Sequence, residues 1–131
     1  MISQWDEKYS LHIGNIDRQH KELFRLSALV DSLDKNTTKD DIRRLLNSFF
    51  IYMREHFRDE EAYMKSIGYP LLKHHHKLHQ EIIESFTKLI KDNRSLKSLK
   101  EQMKIATKKW LIDHTLDNDL RIERWRLKQL E

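Results

Sequence analysis

The chain has 131 residues, with 25 Lys and Arg against 21 Asp and Glu, and a formal net charge of +4. It has no cysteine, two glycines and one proline, which excludes disulfide frameworks, thiolate metal sites and thiol catalysis, and favours helices in one domain spanning 1–131. No apolar run approaches the roughly 18 residues of a membrane span, and the N-terminus lacks the basic-then-apolar layout of a signal peptide, so a cytoplasmic protein without membrane association is expected.

The positive charge does not point to nucleic acid. Bases interleave with acids, as at Lys21–Glu22 and around Glu123 between Arg121 and Arg126. The densest basic stretch, residues 97–109, still holds Glu101 and carries Leu99, Met103 and Ala106 on its other side. A solvated helix face explains this pattern, and charge without a motif is weak evidence for a nucleic-acid partner.

Residues 1–16 read as an extended arm whose Trp5, Tyr9, Leu11, Ile13 and Ile16 pack across the helices that follow. A first helix is expected from about 17 to 33, with Asn15 or Asp17 as its N-cap and Leu23, Phe24, Leu26, Leu29, Val30 and Leu33 as its apolar set. A second runs from 38 or 39 to about 67, with Asp40 and Asp41 at the end where the helix dipole favours acids. Its stripe is Ile42, Leu46, Phe49, Met53, His56, Glu60, Met64, Ile67. Gly68 is a natural stop and Pro70 a natural restart. The third helix, 70 to about 92, has the stripe Leu72, His75, His79, Ile82, Phe86, Leu89. The fourth begins near Ser95, a plausible cap, and reads Leu96, Leu99, Met103, Ala106, Trp110, His114; a short tail helix over 120–130 follows. Short connections make this an all-α, up-down-up-down four-helix bundle with an N-terminal extended arm and a short C-terminal helix.

Seven metal-binding side chains occur at helix-compatible spacings: His20, His56 with Glu60, His75 with His79, and His114 followed by Asp119. Burying such groups is costly unless something satisfies them. In the up-down-up-down topology all four ligand regions fall at the same end of the bundle. Residues four apart share a helix face, so His75 with His79, and His56 with Glu60, can each address one ion. A closed structural zinc site uses about four ligands; seven suits two first-row ions bridged by carboxylates. If Glu60, Asp119 and one solvent oxygen bridge, the ion with three histidines has six ligands and the other five. The open position, walled by Leu23, Phe24 and Ile112, suits a small apolar diatomic. No Glu lies three residues before any His, which argues against the carboxylate-rich oxidase site built from Glu-x-x-His pairs.

Among the neighbours of these residues, the stripe selects His75 over His74 and His76, which with His12 read as surface or supporting groups. Asp59 and Glu61 read as solvated, Asp17 as an N-cap with a lesser claim to touch a ligand histidine, and Asp117 as a cap for the tail. Met53, Met64 and Trp110 read as core, Trp110 with some claim to the pocket wall.

The ordered set of motifs resembles the bacterial hemerythrins. It consists of Trp5-Asp6 to Tyr9, Ile16-Asp17-Arg18-Gln19-His20, His56-Phe57-Arg58-Asp59-Glu60-Glu61 with Met64, Gly68-Tyr69-Pro70 leading to His75 and His79, and Trp110-Leu111-Ile112-Asp113-His114 followed by Asp119. The resemblance implies two Fe ions bridged by Glu60, Asp119 and an oxo or hydroxo group. His75, His79 and His114 would bind the six-coordinate iron, and His20 and His56 the five-coordinate iron. It also implies reversible O2 binding for storage, delivery or scavenging, without catalysis, by a protein for which a monomer is favoured. NO and peroxide are the other candidate ligands. The alternatives are an O2 or redox sensor acting through a partner, and a peroxide- or NO-reducing enzyme. Many relatives carry Ile where this chain has Thr115.

Overall fold

The computed structural model describes residues 5–92 and 95–131, and among these all side chains except those of 92, 111 and 112. Four helices run as α1 (Gly14–Asp31), α2 (Lys39–Ser66), α3 (Leu72–Asp92) and α4 (Leu96–Lys109). The packed pairs are α1 with α2, α2 with α3, α3 with α4, and α4 with α1, which closes a ring of four. Among the described residues no helix is long and apolar enough to cross a membrane.

The helix ends follow local chemistry. Thr38 and Asp41 form a capping box on α2, with Asp41 N–H to Thr38 Oγ1 at 3.1 Å and Thr38 N–H to Asp41 Oδ2 at 2.9 Å. At its other end Gly68 has φ +69°. The Tyr69 N–H donates to Met64 O at 2.9 Å and the Gly68 N–H to Lys65 O at 3.2 Å. This is the Schellman arrangement, completed by packing of Tyr69 and Met64 in one apolar cluster. Ser95 caps α4 through the Ser98 N–H at 3.1 Å.

Three expectations change. The arm is not extended throughout, because Glu7–Tyr9 makes a 3-10 turn whose cap is Asp6. Trp5 and Tyr9 then reach Phe24, with ring centroids 5.9 and 5.5 Å away. Helix α1 starts at Gly14, ahead of Asp17, and no side chain caps it. Asp17 instead turns back to the arm, accepting from the Leu11 N–H at 2.8 Å and from the Ser10 hydroxyl. Finally, α4 does not stop before the tail. It continues as a π-helical stretch, Trp110–Asp119, and then directly as α5 (Leu120–Gln129). Asp117 is exposed and does not cap α5.

Two apolar clusters result. The larger fills the middle of the bundle around Leu23, Phe24, Phe49, Met53, Phe86, Met103 and Trp110. The smaller gathers Leu11, Ile16, Met64, Tyr69 and Ile122, with Trp125 at its edge. It closes the end of the bundle with the arm, the α2–α3 turn and α5.

The two glycines are expected to respond oppositely to substitution. Gly14 is helical with nothing within 4 Å of an added Cβ, so Gly14→Ala should raise stability by about 0.4–1 kcal/mol. Gly68→Ala places a Cβ in the left-handed region and should cost about 1–2 kcal/mol. Denaturant midpoints of the two variants check the signs.

Candidate metal centre

All seven expected side chains converge between the two clusters. His20, Glu60, His79 and Asp119 have no exposed surface, and His56, His75 and His114 are at most 3 % exposed. Helical spacing puts them there: Ile16 and His20 are one turn apart on α1, Glu60 and Met64 on α2. Each of these ligand helices therefore passes from one apolar cluster, through the polar layer, to the other.

The two carboxylates divide their oxygens. Glu60 Oε1 lies 2.8 Å from His75 Nε2, 3.1 Å from His79 Nε2 and 3.6 Å from His114 Nε2. Glu60 Oε2 lies 3.3 Å from His20 Nε2 and 3.2 Å from His56 Nε2. Asp119 repeats the pattern, with Oδ1 2.8 Å from His75 Nε2 and 3.0 Å from His114 Nε2, and Oδ2 2.9 Å from His20 Nε2. Two overlapping groups follow, each close enough to hold one ion: Glu60, His75, His79, His114 and Asp119, and His20, His56, Glu60 and Asp119. The first holds three imidazoles, with His114 Nε2 3.2 Å from His75 Nε2 and 2.9 Å from His79 Nε2. Ligands at right angles on metal–nitrogen bonds of about 2.1 Å stand about 3.0 Å apart. His20 Nε2, His56 Nε2, Glu60 Oε2 and both Asp119 oxygens lack hydrogen-bond partners. A metal ion would satisfy them, and the donor set fits one.

Asp119 reaches this layer because of the π-helical stretch. In an α-helix a residue five positions on is turned about 140° away. The i→i+5 geometry widens the turn and brings Asp119 round to the side of His114. His114–Asp119 is the one ligand pair within a helix whose spacing α geometry cannot serve.

Three supporting residues escape the stripe pattern. Glu61, read from sequence as solvated, accepts from His79 Nδ1–H at 2.7 Å and also from His76. Gln19 Oε1 accepts from His56 Nδ1–H at 2.8 Å, and the Gln19 amide donates to Asp59 at 2.7 Å. These bonds fix the tautomers so that Nε2 faces the centre. The available signal is adjacency: each lies next to a ligand in sequence, but its partner sits on another helix. Of the other expectations, His12 and His74 are exposed, and His12 Nδ1 donates to Glu123 at 3.2 Å. Asp17 does not touch a ligand histidine, being engaged with the arm. Leu23 and Phe24 are buried one turn beyond His20; the side chain of Ile112 lies outside the described residues.

Electrostatics follow from two buried acids. Burial lowers the basicity of His20 and His75, but Asp119 and Glu60 overcome it and hold His20 at about 9 and His75 at about 10. His114 rises for the same reasons, whereas burial wins at His56 and lowers it. Burial raises Glu60 and Asp119, yet the surrounding histidines hold both below the usual carboxylate range. Without metal, protons partly replace the cations.

Three outcomes are expected. Gln19→Leu and Glu61→Leu should each weaken metal binding about 10–100-fold, measured by chelator competition. Chelated protein should melt below loaded protein. The contribution of raised His20 and His75 is fully present below their unfolded value of 6.5 and lost as pH rises through about 9 to 10. The chelated midpoint should therefore fall over that window in a thermal series.

Comparisons agree with this geometry. The hemerythrin HHE cation binding domain family matches residues 11–125. The chain is 29 % identical over 118 residues to a bacteriohemerythrin of Campylobacter jejuni, covering 88 % of this chain and 89 % of that protein. It is 31 % identical over 118 residues to the myohemerythrin of Theromyzon tessulatum, covering 90 % and 88 %. Against a bacteriohemerythrin of Clostridium acetobutylicum it is 30 % identical over 122 residues, covering 88 % and 94 %. No solved structure matches. With a family match over most of its length, and seven buried donors arranged for two cations, the chain belongs to the hemerythrin family.

Proposed function

We propose that the chain holds two iron ions and binds O2 reversibly at one of them, as a cytoplasmic storage, delivery or scavenging protein. The observation that carries this reading is the division of the carboxylate oxygens: Glu60 turns one toward three imidazoles and the other toward two, and Asp119 turns one toward His75 and His114 and the other toward His20. Glu60 and Asp119 would be shared by both ions, with His75, His79 and His114 holding one ion and His20 and His56 the other, so the second ion would have fewer protein ligands and room for a small ligand. Leu23 and Phe24, buried one turn from His20, give that side an apolar wall suited to a small diatomic. Iron is named from the family; the donor types alone also accept manganese. When bound, the pair of ions supplies the electrons that pass to O2 and return on its release. The chain supplies an enclosed position and two fixed tautomers through Gln19 and Glu61.

Metal content and absorption spectra during anaerobic reduction and O2 addition test this. Two irons per chain and a charge-transfer band that appears with O2 and disappears under vacuum are expected. Two irons that pass directly to a stable ferric state would keep the centre and move the function to redox sensing through a partner, or to peroxide or NO reduction.

One residue favours that second reading. Thr115 follows His114, is 2 % exposed, and its Oγ1 has no partner. A buried hydroxyl one residue from a candidate ligand can hold a water molecule, and water reaching the centre would favour oxidation. The native protein should therefore autoxidise faster than Thr115→Ile; equal rates of ferric-form appearance would discard the idea.

A further inference from the structure

A second set of buried polar atoms lies beyond the seven ligands, and the metal centre does not absorb it. Tyr52 Oη, Trp110 Nε1, Thr107 Oγ1 and Ser27 Oγ are all enclosed and all lack a hydrogen-bond partner. Their residues are 7 %, 2 %, 2 % and 5 % exposed. Buried hydroxyls and indole N–H groups almost always find a partner, and an unsatisfied one costs about 1–3 kcal/mol. Four in one part of a core call for a shared partner.

Their register places them together. Tyr52 is one turn before His56 on α2, and Trp110 one turn before His114. The Tyr52 ring is 5.2 Å from that of His56, nearly parallel at 19°, and 5.5 Å from that of Trp110. Thr107 is a further turn back on α4, on the face of Trp110. Ser27 is seven residues beyond His20, hence within about 20° of the same face of α1, and α1 packs against both α2 and α4. Helix α1 runs away from the centre where α2 and α4 run toward it. The four groups therefore occupy the two helical levels next to the centre, on its inner side, within three adjoining helices. The polar set adjoins the centre at His56 through Tyr52 and at His114 through Trp110.

The chemistry selects the occupant. The indole N–H only donates, and each hydroxyl has a proton to donate. Apolar groups around them, Phe49, Leu23 and Met53 among them, offer no acceptor. We propose that Tyr52, Trp110, Thr107 and Ser27 form an internal site for a small hydrogen-bond acceptor, a water molecule or a small anion, adjoining the metal centre between His56 and His114. A buried water with two to four polar neighbours is an ordinary occupant of such a site. A linear anion bound at the open position can extend into the same donors. The anion alternative rests on the di-iron reading above; the site itself does not.

The test is a double-substitution cycle on the protein as purified: Tyr52→Phe, Thr107→Val and the pair. If the two hydroxyls share an occupant, each single change lowers the thermal midpoint by several degrees and the double change costs clearly less than the sum. If they hold nothing, removing an unsatisfied hydroxyl is neutral or stabilising, or the effects add, and the proposal falls. Ser27→Ala provides a second single change of smaller volume should Tyr52→Phe fold poorly. Azide titration of the diferric form separates the occupants. A Kd raised about tenfold in Tyr52→Phe, or about 1.4 kcal/mol, identifies an anion subsite. An unchanged Kd with the thermal coupling present identifies water. Iron content, measured on the same samples, reports separately on the di-iron reading.

Discussion

The fold depends on two carboxylates, Glu60 and Asp119, held face to face with no access to solvent. Each disfavours the charge on the other, and an uncompensated charge of this kind costs several kcal/mol. Five imidazoles answer it, but neutral imidazoles do not cancel two negative charges. Protons do so partly, which is why His20 and His75 are held so far above the ordinary histidine value. Metal ions would do so better, because one cation addresses several donors at once. Ion binding at the polar layer would therefore be coupled to folding. The two apolar clusters on either side of it are the framework that keeps the donors from turning outward to water.

The supports of the two halves differ in charge. On the three-histidine side His79 leans on Glu61, an anion, which increases the electron density at its Nε2. On the two-histidine side His56 leans on the neutral Gln19, and the acid, Asp59, stands one bond further back. An anionic support stabilises a more highly charged ion. The donor group with three imidazoles thus has the stronger electrostatic support, and the group with two is kept more neutral, next to Leu23 and Phe24. Ligand count and support charge act in the same direction.

Periodicity makes five of the donors legible because α2, α3 and α4 carry them on the stripe that also carries their core. His56, Glu60 and Met64 fall in step with Phe49 and Met53, so the sequence names them without any knowledge of their partners. It cannot show Gln19 or Glu61 at work, since those bonds cross between helices and depend on which faces meet. Asp17 is ambiguous for a related reason: a cap and a clasp use the same carboxylate in the first turn, and only the position of Ser10 and Leu11 decides between them. The five-residue step from His114 to Asp119 contains the information that the helix widens there. A spacing that an α-helix turns about 140° off the site requires either a break or a π-turn. A break is the simpler reading, and it would leave Asp119 at the start of a separate helix with nothing to set its direction.

The widened turn also explains how the end of the bundle is closed. Asp119 sits at the last residue of the π-helical stretch and Ile122 three residues later on α5, fully buried with Leu11, Ile16, Met64 and Tyr69. The same limb thus carries the carboxylate shared by both donor groups on one side and the plug of the smaller cluster on the other. Glu123, held by Arg126 and by His12, ties that limb to the arm, and Asp17 ties the arm back to α1. A π-helix is a poorer backbone arrangement than an α-helix and persists where surrounding contacts over-determine it. Here it is fixed from both ends, by His114 at the polar layer and by Ile122 below it. The irregular backbone is the means by which one continuous helix serves both as the fourth wall of the bundle and as the lid over its metal end.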